Sequence, residues 1–444
     1  MRLSIIVPVL NEGATLAARL EALAPLRARG AELVVVDGGS TDDSWMLARP
    51  RADRLLLAAR GRAAQMNAGA AAACGDVLLF LHADTALPLQ ADRSVLHAVQ
   101  RGAAWGRFDV QIDGRHPMLR VVGAMMNARS RYSGIATGDQ AIFITRDAFA
   151  RVGGFPAQPL MEDIEISRRL KRIAPPCCLR ERVVTSGRRW EQRGVWRTIA
   201  LMWRLRASYF FGADAAELAQ RYGYRTEPPL PHAHVAVLAK APVPGLAKTR
   251  LIPALGARGA ARVQRRFALH TLRLAGQAAQ RMGTGVQLWV APSASLRFFR
   301  ALHRSAGAGD ALQWHEQPGG DLGARMAHAF ATHFSAHPGL PLLLIGTDCP
   351  PLAPGHLLAA AGALEQHDAV LIPAEDGGYV LIGLRRPCPA VFEGVAWSTG
   401  SVLARTRDRL RDAGLNWHEL PTLWDVDTPD DWARLQRALQ GRGA

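Results

Sequence analysis

Short apolar runs separated by alanine-rich stretches recur from one end of the chain to the other. In the first half the runs Leu3 to Val9, Leu33 to Asp37, Leu55 to Ala58 and Val77 to Leu81 predict strands. In the second half the runs Val235 to Ala239, Val286 to Ala291, Leu342 to Gly346, Ala369 to Pro373 and Tyr379 to Leu384 predict the same. Strands that alternate with helical segments are the pattern of an α/β domain with a mostly parallel sheet flanked by helices. The pattern breaks once, at Arg225 to His234, where three prolines in RTEPPLPHAH interrupt any helix or strand. Two domains are expected on either side of it, residues 1–227 and 233–444, as the length of 444 residues also suggests.

Composition narrows the class. With 49% hydrophobic and 21% charged residues the chain is an ordinary globular one, neither disordered nor collagenous. The apolar start MRLSIIVPVLNEG contains Pro8 and runs into Asn11 and Glu12, so it reads as a first strand and not as a signal peptide. Five cysteines without CxxC spacing indicate neither a disulfide framework nor a zinc site, and a reducing cytoplasm fits them.

The net charge of +16 raises nucleic-acid binding as a question, and its distribution answers it. Residues 168–206 hold 12 Lys+Arg against 2 Asp+Glu, which accounts for the whole excess of the first half. In the same stretch Trp196, Ile199, Ala200, Trp203, Ala207 and Phe210 recur at helical spacing, predicting a helix with an aromatic face beside arginines. Such a helix either packs on its own domain with a solvated basic side or lies peripherally on a membrane surface, here the inner membrane. No nucleic-acid-binding signature accompanies it, so no nucleic-acid partner is expected.

The two halves share a landmark, an apolar strand that ends in an acid and a proline turn: LLFLHADTALP with Asp84 and LLLIGTDCPPL with Asp348. In open α/β sheets ligands bind beyond the carboxyl ends of the strands. A carboxylate there suits Mg²⁺ or Mn²⁺ on a diphosphate. The competing reading of each is a turn aspartate that caps the following helix.

VPVLNEG, VVVDGGSTDDS, GRAAQMNAGAAAACGD and LHADT follow one another in the first half. In this order they resemble glycosyltransferase family 2, inverting enzymes of the GT-A nucleotide-diphospho-sugar transferase fold, over roughly residues 1–210. The resemblance implies a nucleotide-sugar donor, with Asp37 on the base, Pro8, Asn11 and Glu12 lining the same pocket, and Arg62 and Asn67 closing it. It places Asp84 last in the family's metal-holding DxD motif, whose first place is taken here by His82. GDQAIF, GGF and MEDIEISRRL resemble the acceptor half of the family. They imply substrate contacts at Asp139 and Gln140 and a catalytic pair, Glu162 and Asp163, with Asp163 as the base toward an acceptor that the sequence does not name. Taken alone, an ED pair opening a helix is more often a charge that complements the helix dipole. SGRRW resembles the QxxRW motif of processive members but has Ser186 where glutamine belongs, so polymer synthesis is not implied. LHADT, GDQ and LMEDIEISRRL together are most similar to the arsenosugar-biosynthesis glycosyltransferases.

VAVLAKAPVPGLAKTRL opens the second half. GLAKT is not a P-loop, because Ala247 stands where the glycine before the lysine is required. Lys240, Lys248 and Arg250 instead resemble the basic loop of nucleotidyltransferase-like GT-A proteins, where cations neutralise phosphates. GGDLGARM, IGTDCPPL, PAEDGGYVLIGL and DVDTPDDW resemble a companion family, found beside or fused to the arsenosugar group, whose relatives include sugar-phosphate and cofactor nucleotidyltransferases. That resemblance brings Asp348 and Asp427 to one divalent cation and turns Asp376, Gly377 and Gly378 toward substrate. From the residues alone, Gly377 and Gly378 equally suit a tight turn, and Asp427 a cap for the helix that Pro429 starts.

Overall fold

The structure, a computed structural model, describes residues 1–223, 230–292, 299 and 312–440. Residues 225–229 of the proline-rich break lie outside them. The chain divides into two compact units, Met1–Gly38 with Leu47–Pro228, and Gly39–Met46 with Pro229–Ala444.

The first unit holds β1 (Leu3–Val9), β2 (Glu32–Asp37), β3 (Arg54–Leu57), β4 (Val77–Phe80), β5 (Thr85–Ala86), β6 (Trp105–Asp113), β7 (Ile142–Thr145) and β8 (Cys177–Ser186). They form one sheet in the order β3-β2-β1-β4-β7-β6-β8-β5. The strands β1, β2 and β4 are mostly apolar and almost wholly buried because both faces of the sheet are covered. Leu3, Ile5, Val7 and Val9 pack with Leu16 and Leu20 on one face, while Ile6 packs with Ala63, Met66 and Ala70 on the other. The helix Arg62–Ala72 lies so near β1 that a Cβ on Gly69 would collide with Ile6 and Val36.

The second unit holds β9 (His234–Lys240), β10 (Val286–Ala291), β11 (Leu312–Glu316), β12 (Leu342–Ile345), β13 (Ala369–Pro373), β14 (Tyr379–Leu384) and β15 (Trp417–Glu419). Their order is β11-β10-β9-β12-β14-β13-β15. Leaving aside the two-residue β5, this is the strand order of the first unit. The directions match as well: β4 and β12 pair antiparallel with β7 and β14, while β6 and β13 pair parallel with β8 and β15. In each sheet the order reverses beside the first strand, between β1 and β4 and between β9 and β12, where a crevice opens at the carboxyl ends.

The nine strands expected from apolar runs are all present, with ends within one or two residues. The basic segment does not form one element. It spans the end of a helix (Glu162–Lys171), β8, and the helix Val195–Phe210. That last helix buries Val195, Thr198 and Leu205, whereas Trp196, Trp203 and Phe210 are 66%, 65% and 73% exposed. Its aromatic face therefore points to solvent, with the exposed Arg197 and Arg204 beside it. Among the described residues no helix is long and apolar enough to cross a membrane. All five cysteines are free.

Candidate functional site

At the crevice of the first unit a cleft of about 460 Å³ is lined by Pro8 near the end of β1 and Glu12 after it, His82 and Asp84 after β4, Arg62 at the start of its helix, and Gln158. Apart from Gln158, in the loop before Glu162, each comes from near a strand end or a helix start, where the fold brings separate segments together. Asp37 ends β2 opposite Val9, and its side chain is buried beneath the cleft and does not line it. Asn11 takes a positive φ of 53° at the turn that leaves β1. Asn67 is committed elsewhere: it donates to Phe155 O and accepts from Phe155 N, both at 2.9 Å, tying its helix to the GGF turn. Gln65 went unnoticed in the sequence. It donates to the carbonyls of Val9 and Val36, both at 2.8 Å, and so fixes the ends of β1 and β2 under the cleft. Arg188 of SGRRW reaches Glu12 at 3.9 Å.

A smaller cavity of about 90 Å³ shares Arg62 and His82 with this cleft and adds Asp139, Glu162, Asp163 and Arg206. Here the acid pair opens the helix Glu162–Lys171, preceded by Met161 at a φ of 64°. Both Asp163 oxygens are oriented by main-chain donors, Gly138 N at 3.0 Å and Ile164 N at 2.8 Å. Glu162 is buried, and that burial, with the Asp163 charge next, pushes its carboxyl up to about 7 against the opposing pull of Arg62 and His82. His82 Nδ1 lies 3.2 Å from Asp139 Oδ1. Gln140 is fully buried and faces away from the cavity, toward Ser130 Oγ at 3.0 Å and Asn127 Oδ1 at 3.3 Å.

The crevice of the second unit opens into a larger cleft of about 680 Å³, whose wall includes Lys240, Lys248, Arg250, Arg325, Asp348 and Asp427. Lys248 sits in the left-handed region with a φ of 46°, and its side chain is 8% exposed. Its ammonium donates to Asp427 Oδ1 at 2.7 Å and lies 3.5 Å from Asp348 Oδ2. Burial works against that charge, but Asp348, Asp427 and Asp425 outweigh it and hold the pKa above the usual lysine value. Arg250 approaches Asp427 at 3.5 Å. The helix Pro429–Leu439 is capped by Thr428 with Asp431, which leaves the Asp427 carboxylate for the cleft.

Asp425 completes this cluster. Its carboxyl oxygen lies within 4.8 Å of those of Asp348 and Asp427. Burial, followed by the charges of Asp348, Asp376 and Asp427, pushes it up to about 7. The alternation in DVD, which turns residues 425 and 427 to one side of an extended segment, was the available signal. Asp376 and Gly378 line the cleft, with Asp376 Oδ1 accepting from Gly378 N at 2.9 Å. Gly377 serves the turn: it has a φ of 87° and packs where a Cβ would collide with the Gly400 carbonyl.

Three carboxylates offer only hard oxygen donors, the set that suits Mg²⁺ or Mn²⁺. In the first unit Asp84 offers one carboxylate in the cleft, and the His82 side chain is turned toward Asp139 and Gly138. This donor set fits a cation held chiefly by a ligand's own phosphates.

Residues 4–152 match the family described as Glycosyl transferase family 2, and residues 271–399 match that described as Uncharacterized protein conserved in bacteria (DUF2064). A PGL/p-HBAD biosynthesis glycosyltransferase of Mycobacterium bovis is 42% identical over 91 residues, 19% of this chain and 36% of the relative. The chain thus spans about a third of that relative's length. A crystal structure from Desulfovibrio desulfuricans G20, described as a nucleotide-diphospho-sugar transferase, is 34% identical over 44% of this chain and 82% of its own, with a TM-score of 0.40. Glucosyl-3-phosphoglycerate synthase of Mycobacterium tuberculosis, solved with Mn²⁺, UDP and glucosyl-3-phosphoglycerate, is 18% identical over 41% and 70%, with a TM-score of 0.34. The chain carries a glycosyl transferase family 2 domain in its first unit and a DUF2064 domain in its second.

Proposed function

We propose that the first unit is an inverting glycosyltransferase that moves a sugar from a nucleotide-diphosphate donor to an acceptor hydroxyl. One observation carries this reading: the cleft with Asp84 and the cavity with Asp163 share Arg62 and His82, so a donor and a base are adjacent. Pro8, Asn11 and Glu12 hold the nucleotide side, with the buried Asp37 beneath them. A divalent cation, held by Asp84, would neutralise the departing diphosphate. Asp163, fixed by two main-chain donors, takes the acceptor proton while the acceptor oxygen attacks the anomeric carbon from the face opposite the leaving group. Glu162, with its carboxyl pushed up to about 7, carries only part of a negative charge beside that base near neutrality. LHADT, GDQ and LMEDIEISRRL support the narrower arsenosugar-biosynthesis type.

The test is nucleoside diphosphate release from a panel of nucleotide sugars, with neutral and phosphorylated alcohols as acceptors. Asp163→Asn lowers transfer by roughly 10²- to 10⁴-fold and leaves nucleoside diphosphate binding intact. Wild-type turnover in this variant would remove Asp163 from the mechanism.

A second reading concerns the cleft of the second unit, where basic side chains and three aspartates converge. It takes a phosphate-bearing nucleotide with Mg²⁺ or Mn²⁺. Pyrophosphate release by the intact chain from a nucleoside triphosphate and a sugar phosphate marks nucleotidyl transfer, and binding without release marks a binding module. The exposed aromatic and arginine face of Val195–Phe210 fits peripheral contact with an anionic membrane.

A further inference from the structure

Two arginines beside the acid pair have no protein partner that accounts for them. Arg129, on the helix Met118–Ser133, has Nε and Nη2 buried without a hydrogen-bond acceptor, and Arg206, on Val195–Phe210, has Nε in the same state. Among the described residues no carboxylate lies within ion-pairing distance of either. Arg107 also leaves its Nε without an acceptor, but it and Arg131 each pair with Asp109. Burial, and then the like charge of Arg206, lowers the Arg129 pKa to about 10, with Asp163 opposing and Arg107 adding to the repulsion.

A buried N–H without an acceptor is costly, and repulsion between like charges adds to the cost. An oxyanion at Arg206 relieves the repulsion and supplies an acceptor, because the planar fork of arginine matches phosphate and carboxylate oxygens. Arg206 lines the same cavity as Asp163 and Arg62, and that cavity's volume of about 90 Å³ suits one small charged group and not a whole substrate.

We propose that the cavity beside Asp163 binds an anionic group of the acceptor, a phosphate or carboxylate, through Arg206, which lines it, with the positive charge of Arg129 reinforcing the attraction. The acceptor is then an acidic alcohol, anchored by its anion while its hydroxyl meets the base. This rests on the reading of Asp163 as that base. The donor's diphosphate is the other source of an oxyanion, and it belongs to the larger cleft on the Asp84 side.

The probe is inorganic phosphate, titrated into the intact chain at constant ionic strength, with and without saturating UDP or GDP. Phosphate binds alongside the nucleoside diphosphate, and Arg206→Gln and Arg129→Gln each weaken it about tenfold or more. Arg206→Lys, which keeps the charge and loses the fork, retains part of the affinity and serves if a glutamine variant fails to fold. Phosphate affinity unchanged in both glutamine variants overturns the proposal. So does mutual exclusion of phosphate and nucleoside diphosphate, which would give the arginines to the donor. If no nucleoside diphosphate binds, the donor reading fails by itself, and the titration without nucleotide still decides whether the arginine pair holds an anion.

Discussion

The two units share a strand order and place their carboxylates at the same point of the sheet, yet they balance those charges in opposite ways. In the second, the buried ammonium of Lys248 lies among Asp348, Asp425 and Asp427, so the protein's own cation occupies the cluster. In the first, Asp163 is held by main-chain donors, and the arginines nearby keep unsatisfied N–H groups. The topology fixes where chemistry can occur. The side chains decide which charge is still missing there: a cation can replace Lys248 in one unit, and an anion can join the arginines in the other.

Removing Lys248 breaks that comparison most severely. Lys248→Met leaves Asp348, Asp425 and Asp427 without their cation; because Asp348 and Asp427 are 42% and 38% exposed, solvent screens part of the loss, which reaches up to about 3 kcal/mol at neutral pH. Urea unfolding measures the loss, and millimolar Mg²⁺ or Mn²⁺ recovers part of it by taking the ammonium's place. Unchanged stability would show that Lys248 does not hold the cluster together.

A pH-dependent effect sharpens the picture of the first unit. Glu162 ionises near 7 when folded, against an ordinary value of 4.5. Between those values the folded chain keeps a proton that the unfolded chain has released, so stability falls as pH rises, by about 1.4 kcal/mol per pH unit. Above pH 7 the penalty is constant. Glu162→Gln removes this slope, so its stability gain over the wild type is larger at pH 8 than at pH 5 in denaturant titrations. Equal gains at both would place Glu162 in an ordinary solvated setting.

The smallest effect on stability belongs to the aromatic face. Trp196→Ser with Trp203→Ser changes the unfolding free energy by only about 0.5 kcal/mol, as for exposed positions generally. It abolishes salt-sensitive flotation with anionic phosphatidylglycerol vesicles. A large loss of stability, or no flotation by the wild type, would count against membrane contact.

Much of this was legible from the chain alone. The strands that line the two crevices are continuous apolar runs because both faces are covered, and Asp84 and Asp348 follow them directly. β6 and β8 escaped that reading. WGRFDVQID puts Arg107 and acids among its apolar positions, and CCLRERVVTS contributes to the basic excess, so each reads as polar although it is a strand. Arg206 was lost in the same charge count and Arg129 lies outside it, since nothing in sequence distinguishes a solvated arginine from one with unpaired buried N–H groups. Asn67 shows the reverse: a residue attributed to the nucleotide by resemblance spends both ends of its amide on Phe155.

The parallel pairing of β6 with β8 has a practical consequence. The two strands align from Gly106 with Cys177 to Asp113 with Ser186, and residues 4–152 include only the first of them. A fragment cut to those bounds would lose the helix that bears Asp163 and leave β6 as an open edge with unmet main-chain groups, a template for aggregation. Expression of the first unit alone should therefore retain the chain through Tyr222, where the helix Ala215–Tyr222 buries Leu218 and Ala219.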